Sequence, residues 1–251
     1  MFVNIDGTDI HFSQAGERDC PALLILHGWG CNYRTYQNII DKLSSFFFVI
    51  TPELPGFGQT PEPPEPWSVG DYADFVKVFC EKTNLNPLVI LAHSLGCRIA
   101  IKLLSKNALR PEKIIFTGAA GIKPRKTPAQ KARTAVFKAG KIFMKPFPGL
   151  LEKLQKRSGS ADYRAASPMM RKCLVKIVNE DLTPLLPLVK QSVLLIWGEL
   201  DDSTPLSDGK LMEQEMPDAG LAVIKNAGHY AFLDQPERFM KIVNSYLGVK
   251  E

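Results

Sequence analysis

Paired cysteine is the first thing this sequence lacks. Its five cysteines, Cys20, Cys31, Cys80, Cys97 and Cys173, are odd in number, scattered and never spaced as C-x-x-C. That excludes a zinc or dithiol framework and leaves reduced thiols acting as small buried hydrophobes. Long apolar runs are also missing. None approaches the roughly 20 residues that cross a bilayer, and the start MFVNIDGTDI has neither a basic n-region nor a long apolar stretch. The expectation is a cytoplasmic protein with no transmembrane segment. Histidine is scarce, with four in the chain, so any imidazole base is one of His11, His27, His93 and His229.

Acid is scarce in one place. Residues 123–176 hold fifteen Lys and Arg against only Glu152 and Asp162, a net +13 that leaves −8 for the rest of a chain whose total is +5. A charge run is usually a solvated helix face, yet a field of one sign also steers oppositely charged partners. What remains is ordinary: 251 residues with 45% apolar and 23% charged content, enough for one well-filled core.

Along the chain, short β-rich runs alternate with segments of helical period, the pattern of a parallel sheet covered by helices on both faces. The opening differs, because Asp6-Gly7 between Phe2–Ile5 and Thr8–Ser13 predicts an antiparallel hairpin. ALLILHG and FFFVIT read as strands buried on both faces, with Tyr33–Leu43 helical between them. The stretch from Pro52 to Trp67 is crowded with proline and reads as loop. Ser68 with Asp71 forms a capping box for a helix reaching about Glu81.

PLVILAH, the helix after Ser94 and KIIFTG restore the alternation, which then stops. Amphipathic helices, the first capped at Thr127-Pro128, fill the chain until the strands SVLLIWG and LAVIKNAG return and a last helix starts near Pro236. This divides the chain into a core of residues 1–120 and 191–251 and an inserted helical cap over residues 121–190.

LAHSLGCRIA contains the most informative spacing. A strand ends at Ser94 and a helix follows, the setting of a nucleophile elbow, where a sharp turn lifts the hydroxyl clear of the sheet. Such turns need small residues two positions either side of the serine. Gly96 complies, and Ala92 adds one methyl where glycine is usual. Against this stands the plain reading of Ser94 as a helix cap.

A serine hydroxyl attacks only when a base takes its proton and an acid orients that base. His229, in the loop NAGHYAF after a late strand, suits the base. His11 sits in the edge hairpin, His27 ends a strand and suits holding a loop, and His93 adjoins the serine with its side chain expected to point elsewhere. In the order serine, acid, histidine, the acid comes from WGELDDSTP. Asp201 fits the spacing between Gly198 and Pro205, with Asp202 the alternative. HGWG, His27 to Gly30, ends an earlier strand with a flexible turn, so the N–H groups of Trp29 and Leu95 are the expected oxyanion donors.

HGWG, ELPGFG at Glu53–Gly58, AHSLG, WGELDDSTP and NAGHYAFLDQPERF, taken in that order, resemble the α/β-hydrolases over nearly the whole chain. The resemblance implies an α/β fold: a mostly parallel sheet, an N-terminal antiparallel hairpin and an inserted helical cap. It also implies acyl-enzyme chemistry by Ser94, Asp201 and His229 without metal or organic cofactor. Haloalkane dehalogenases and epoxide hydrolases of this fold carry aspartate at the elbow, so Ser94 sets this chain apart from them.

Within the fold, HGWG-C-N followed by LPGFG is similar to the esterases that demethylate pimeloyl-carrier-protein ester, whose basic cap receives an acidic carrier; Ala92 departs from their pattern. The expected substrate is a hydrophobic acyl ester or thioester, with Trp29, Phe137, Phe143 and Met144 lining its pocket. An acidic carrier protein or anionic lipid is the candidate partner of the basic cap, and nucleic acid is not expected. Two alternatives stay open: a C–C bond hydrolase or lyase using the same three residues, and a non-catalytic member that binds a small hydrophobic ligand.

Overall fold

A computed structural model describes residues 1–123 and 160–250. Eight strands form one sheet in the order β1-β2-β4-β3-β5-β6-β7-β8. Strands β1 (Phe2–Ile5) and β2 (Thr8–Ala15) make the hairpin, turning at Asp6 and Gly7, both at positive φ. Antiparallel pairing continues from β2 onto β4 (Phe48–Pro52), while β4, β3 (Ala22–Leu26), β5 (Val89–His93), β6 (Lys113–Thr117), β7 (Ser192–Gly198) and β8 (Ala219–Ile224) run parallel.

The near-continuous apolar runs follow from burial on both faces. Leu24, Leu26, Ile90, Ala92, Ile114, Phe116, Leu195 and Trp197 point to one layer, which holds α2 (Val69–Lys82), α3 (Leu95–Ser105) and α6 (Leu206–Glu215). Their neighbours Leu23, Ile25, Val89, Leu91, Ile115 and Ile196 point to the other. There they meet α1 (Gln37–Leu43), the short α7 (Ala231–Asp234) and α8 (Pro236–Leu247).

Helix α2 starts where its sequence signal lies. The Ser68 hydroxyl accepts from the Asp71 N–H and the Asp71 carboxylate accepts from the Ser68 N–H. Between β3 and β4 the expected helix is split: Tyr33–Tyr36 is a 3₁₀ turn, and α1 begins only at Gln37. The reason is tertiary. Tyr36 is fully buried, and its hydroxyl accepts the Gly28 N–H at 3.1 Å, which fixes the chain entering the helix.

Between β6 and β7 the described residues are helical: α4 (Ala161–Ala165), α5 (Pro168–Asn179) and a 3₁₀ turn over Thr183–Leu188. They are tied to the body. The Leu182 N–H donates to Gly121 O at 2.9 Å, Arg98 on α3 donates to Glu180 O at 2.9 Å, and Met170 fills the space above Gly56. Thr127, Pro128, Phe137, Phe143 and Met144 lie outside the described residues. All five cysteines are free thiols, four of them buried.

Strand order reverses at β3. The chain passes from β3 to β4 on one side and then returns to place β5 on the other, so a crevice opens beyond the carboxyl ends of β3 and β5, where sites form in open α/β sheets.

Candidate active site

Ser94 stands between β5 and α3 at φ 49° and ψ −107°, backbone angles that L-residues avoid and that are retained only where the surroundings enforce them. The enforcing contacts are close. A Cβ on Gly96 would lie 2.0 Å from Leu26 O, so α3 can approach β3 only with glycine there. Ala92 meets no such limit: it is fully buried between Leu26 and Phe116 of the flanking strands. Below the turn, Cys97 Sγ donates to Ala92 O at 3.1 Å and the Ser94 N–H donates to Thr117 O at 3.3 Å.

The loop after β3 folds over this turn. A Cβ on Gly28 would stand 3.3 Å from Ser94 Cβ and 2.7 Å from the His93 ring. His27 is buried and joins two loops: its Nε2 accepts the Leu54 N–H at 3.0 Å, which puts the proton on Nδ1 to donate to Gly28 O at 2.8 Å. Burial lowers its pKa to about 4 despite that backbone bond. Trp29, half-buried, sets its ring edge-on to Phe57 with centroids 4.9 Å apart. Leu95 opens α3, so its N–H has no carbonyl partner one turn back within the helix.

Asp201 and His229 meet in the loops after β7 and β8. His229 Nδ1 donates to Asp201 Oδ2 at 2.8 Å, with the Asp201 side chain fully shielded from solvent and the His229 side chain 13% exposed. Since the proton sits on Nδ1, Nε2 keeps its lone pair. Asp201 Oδ1 accepts the N–H groups of Ser203 and Thr204, both at 2.9 Å, and Oδ2 also accepts the Thr204 hydroxyl at 2.8 Å. Burial works against the charge on Asp201; the bonds from His229 and Thr204 outweigh it and hold the carboxyl below its usual pKa. Asp202, the alternative acid, is exposed and takes only a 3.3 Å bond from Ser203 Oγ.

Three glycines let these loops converge. A Cβ on Gly198 would lie 2.1 Å from Gly228 O, and a Cβ on Gly118 would lie 3.0 Å from His229 Nδ1 and 3.2 Å from Asp201 Oδ2. Gly118 follows Thr117, the residue bonded to the Ser94 N–H, and itself donates to Ile196 O at 3.1 Å; with Gly28 these positions draw the ends of β3, β5, β6 and β7 together. The ring of His93 lies 4.7 Å from that of His229, tilted at 48° to it. His93 is fully buried, donates through Nδ1 to Thr117 O at 2.9 Å, and has its pKa lowered to about 3, first by burial and then by His229. It is held neutral, with its Nδ1–H committed to the Thr117 carbonyl.

The structure therefore places Ser94 at the end of β5 and the bonded pair Asp201 and His229 in the loops after β7 and β8, with Trp29 in the loop after β3 and Leu95 at the start of α3, and it pairs His11 on β2 with Glu53 at 3.0 Å. Sequence reasoning missed Thr204, Gly118 and Tyr36. Thr204 lay inside a motif already singled out, WGELDDSTP, and a hydroxyl three residues after the acid was the available signal; nothing in the sequence marked the other two.

The sequence profile of the alpha/beta hydrolase family matches residues 23–242. The chain is similar to the pimeloyl-acyl-carrier-protein methyl ester esterase of Aeromonas hydrophila, 23% identical over 91% of this chain and 96% of that one. In structure it is similar to an esterase from Exiguobacterium antarcticum, with a TM-score of 0.77 and 22% identity over 98% of each chain. It is also similar to a bacterial membrane phospholipase A, with a TM-score of 0.79 and 22% identity over 99% of this chain and 85% of that one. At these identities the structural likenesses speak for the fold, and with the profile match they establish that the chain belongs to the alpha/beta hydrolase family.

Proposed function

We propose that the protein is a serine hydrolase that cleaves a carboxylic ester or thioester of a hydrophobic acyl substrate through an acyl-enzyme. The observation that carries this reading is the 2.8 Å His229–Asp201 bond in a fold that also holds Ser94, at the end of β5, at φ 49°. In the first half-reaction His229 Nε2 takes the Ser94 proton as Oγ attacks the carbonyl, and the N–H groups of Trp29 and Leu95 hold the developing oxyanion. The imidazolium is stabilised by Asp201 and returns its proton to the leaving alcohol or thiol. Water then repeats the sequence on the acyl-enzyme, releasing the acid and restoring Ser94.

In this reading Trp29 belongs to the apolar lining of the acyl cleft, and the expected contributions of Phe137, Phe143 and Met144 fall outside the described residues. The esterase relative is named for an acyl chain carried on a protein, and the net +13 of residues 123–176 supports an acyl group presented by an acidic carrier or an anionic lipid surface. The test is hydrolysis of a panel of p-nitrophenyl acyl esters and acyl thioesters by wild type and Ser94→Ala. Turnover in the wild type that disappears in the variant supports the reading; turnover that persists in Ser94→Ala removes it.

A further inference from the structure

The bonds around Asp201 go beyond what a serine, acid and histidine require. Oδ1 is filled by two backbone N–H groups, and Oδ2, the oxygen facing His229, receives a second donor in the Thr204 hydroxyl at 2.8 Å. The same hydroxyl oxygen lies 3.3 Å from His229 Nδ1. A hydroxyl has one proton and two lone pairs. With its proton on Oδ2, its lone pairs face the Nδ1–H, so the three groups close a triangle in which each fixes the other two. The position is rigid. Thr204 is buried at 8% exposure, and its own carbonyl accepts Trp197 Nε1–H at 2.7 Å from a fully buried ring on β7.

We propose that Thr204 is a positioning residue of the acid–base pair: its hydroxyl shares Asp201 Oδ2 with His229, setting both the direction and the strength of the Nδ1–H hydrogen bond. Sharing matters because a carboxylate oxygen that already accepts one bond offers less charge to the next, and an imidazolium beside it is held less tightly. The base then releases its proton to the leaving group more readily, and its ring keeps one orientation while charge comes and goes.

Other charged and titratable groups stand around the pair, and none takes this place. His93 packs its ring against His229 at 4.7 Å, tilted at 48°, but spends its Nδ1–H on Thr117 O. Tyr230 meets the ring edge-on at 5.4 Å. Asp208, in the first turn of α6, has its own carboxyl raised in pKa first by burial and then by the charge of Asp201, with Arg98 opposing.

This inference rests on the proposed serine-hydrolase reading and is tested with Thr204→Val, which keeps shape and β-branching, and Thr204→Ser, which keeps the hydroxyl. Thermal unfolding first shows that both variants fold. In Thr204→Val the Nδ1–H of His229, followed by proton NMR in the resting protein, is expected to move downfield as it becomes the sole donor to Oδ2. The acid limb of kcat/KM is expected to shift upward by about 0.5–1 pH unit, and kcat to fall about tenfold from looser orientation at nearly unchanged KM. Thr204→Ser restores all three. An unmoved Nδ1–H resonance in folded Thr204→Val overturns the proposal whether or not the protein turns over an ester. A protein without serine-dependent turnover overturns the hydrolase reading, a result the resonance does not touch.

Discussion

Ser94 and Gly96 are two positions apart and answer to different constraints. Strain at Ser94 comes from its backbone angles, while Gly96 is required because Leu26 O would lie 2.0 Å from any Cβ there. Gly96→Ala therefore pushes α3 off β3 and is expected to cost more than about 2 kcal/mol and most of the activity, as read by urea unfolding and ester turnover. Ala92→Gly restores the usual residue of the turn and is expected to cost only about 1 kcal/mol of stability, with kcat within a few-fold of wild type. If Ala92→Gly were as damaging as Gly96→Ala, the account of the elbow in terms of close approach would be wrong.

Among the acids, Asp201→Asn is expected to lower kcat by about 10⁴ because it reverses the tautomer His229 needs. Asp202→Asn, at an exposed carboxylate outside the His229 bond, is expected to stay within a few-fold. These residues were legible in the sequence to the extent that a motif fixes spacing. Asp201 is separated from Asp202 by Gly198 and Pro205, and His229 by a loop with no structural need for histidine. Thr204 was not legible in the same way, because its role depends on which carboxylate oxygen its hydroxyl meets, and spacing carries no side-chain direction.

At the scale of elements, strands were the easiest to read. Runs such as LLIL and VILA are apolar at every position because both faces of the sheet are covered, and β3 and β5 appear where those runs stand. The order β4-β3-β5 was not readable, since it depends on which side of the sheet each crossover returns to. The split helix at Tyr33–Tyr36 was missed for a similar reason, as the buried bond from Gly28 to Tyr36 lies across the fold.

Helix α3 has a second task besides presenting Ser94. Arg98, 5% exposed, donates to Glu180 O, and Lys102 pairs with the Glu180 carboxylate. The helix that starts after Ser94 thus also fastens the end of the segment between β6 and β7. Arg98→Leu leaves a carbonyl without its donor and is expected to destabilise the protein by about 1–3 kcal/mol in urea. An unchanged urea midpoint would show that this fastening contributes nothing to stability.

For the whole molecule, the buried neutral histidines set a pH dependence of stability. His27 and His93 have folded pKa values of about 4 and about 3, against 6.5 when unfolded. Between pH 6.5 and about 4 the unfolded chain binds protons that the folded one refuses, so stability rises with pH across this window and is lost as pH falls through it. Each histidine contributes a loss of about 2–3 kcal/mol between pH 7 and pH 4.5. Urea unfolding at pH 7, 5.5 and 4.5 measures it, and equal stability at all three would contradict the neutral, buried placement of both rings.

The charge division was plain from composition, with net +13 in residues 123–176 against −8 elsewhere. Lys138, Lys141 and Lys145 belong to that basic stretch, outside the described residues. Reversing all three to Glu is expected to weaken use of a carrier-borne acyl ester, most at low ionic strength, while sparing a neutral short ester. Equal losses on both substrates would point to damaged packing in place of a lost partner surface.

The central claim is that Ser94 is a nucleophile activated by His229. Labelling with a fluorophosphonate, followed by mass spectrometry of the modified peptide, tests it most directly. The account predicts an adduct on Ser94 in the wild type, none in Ser94→Ala, and labelling slowed by orders of magnitude in His229→Ala while His93→Ala stays far less affected. A folded wild-type protein that leaves Ser94 unmodified, or labels faster through His93 than through His229, would contradict it.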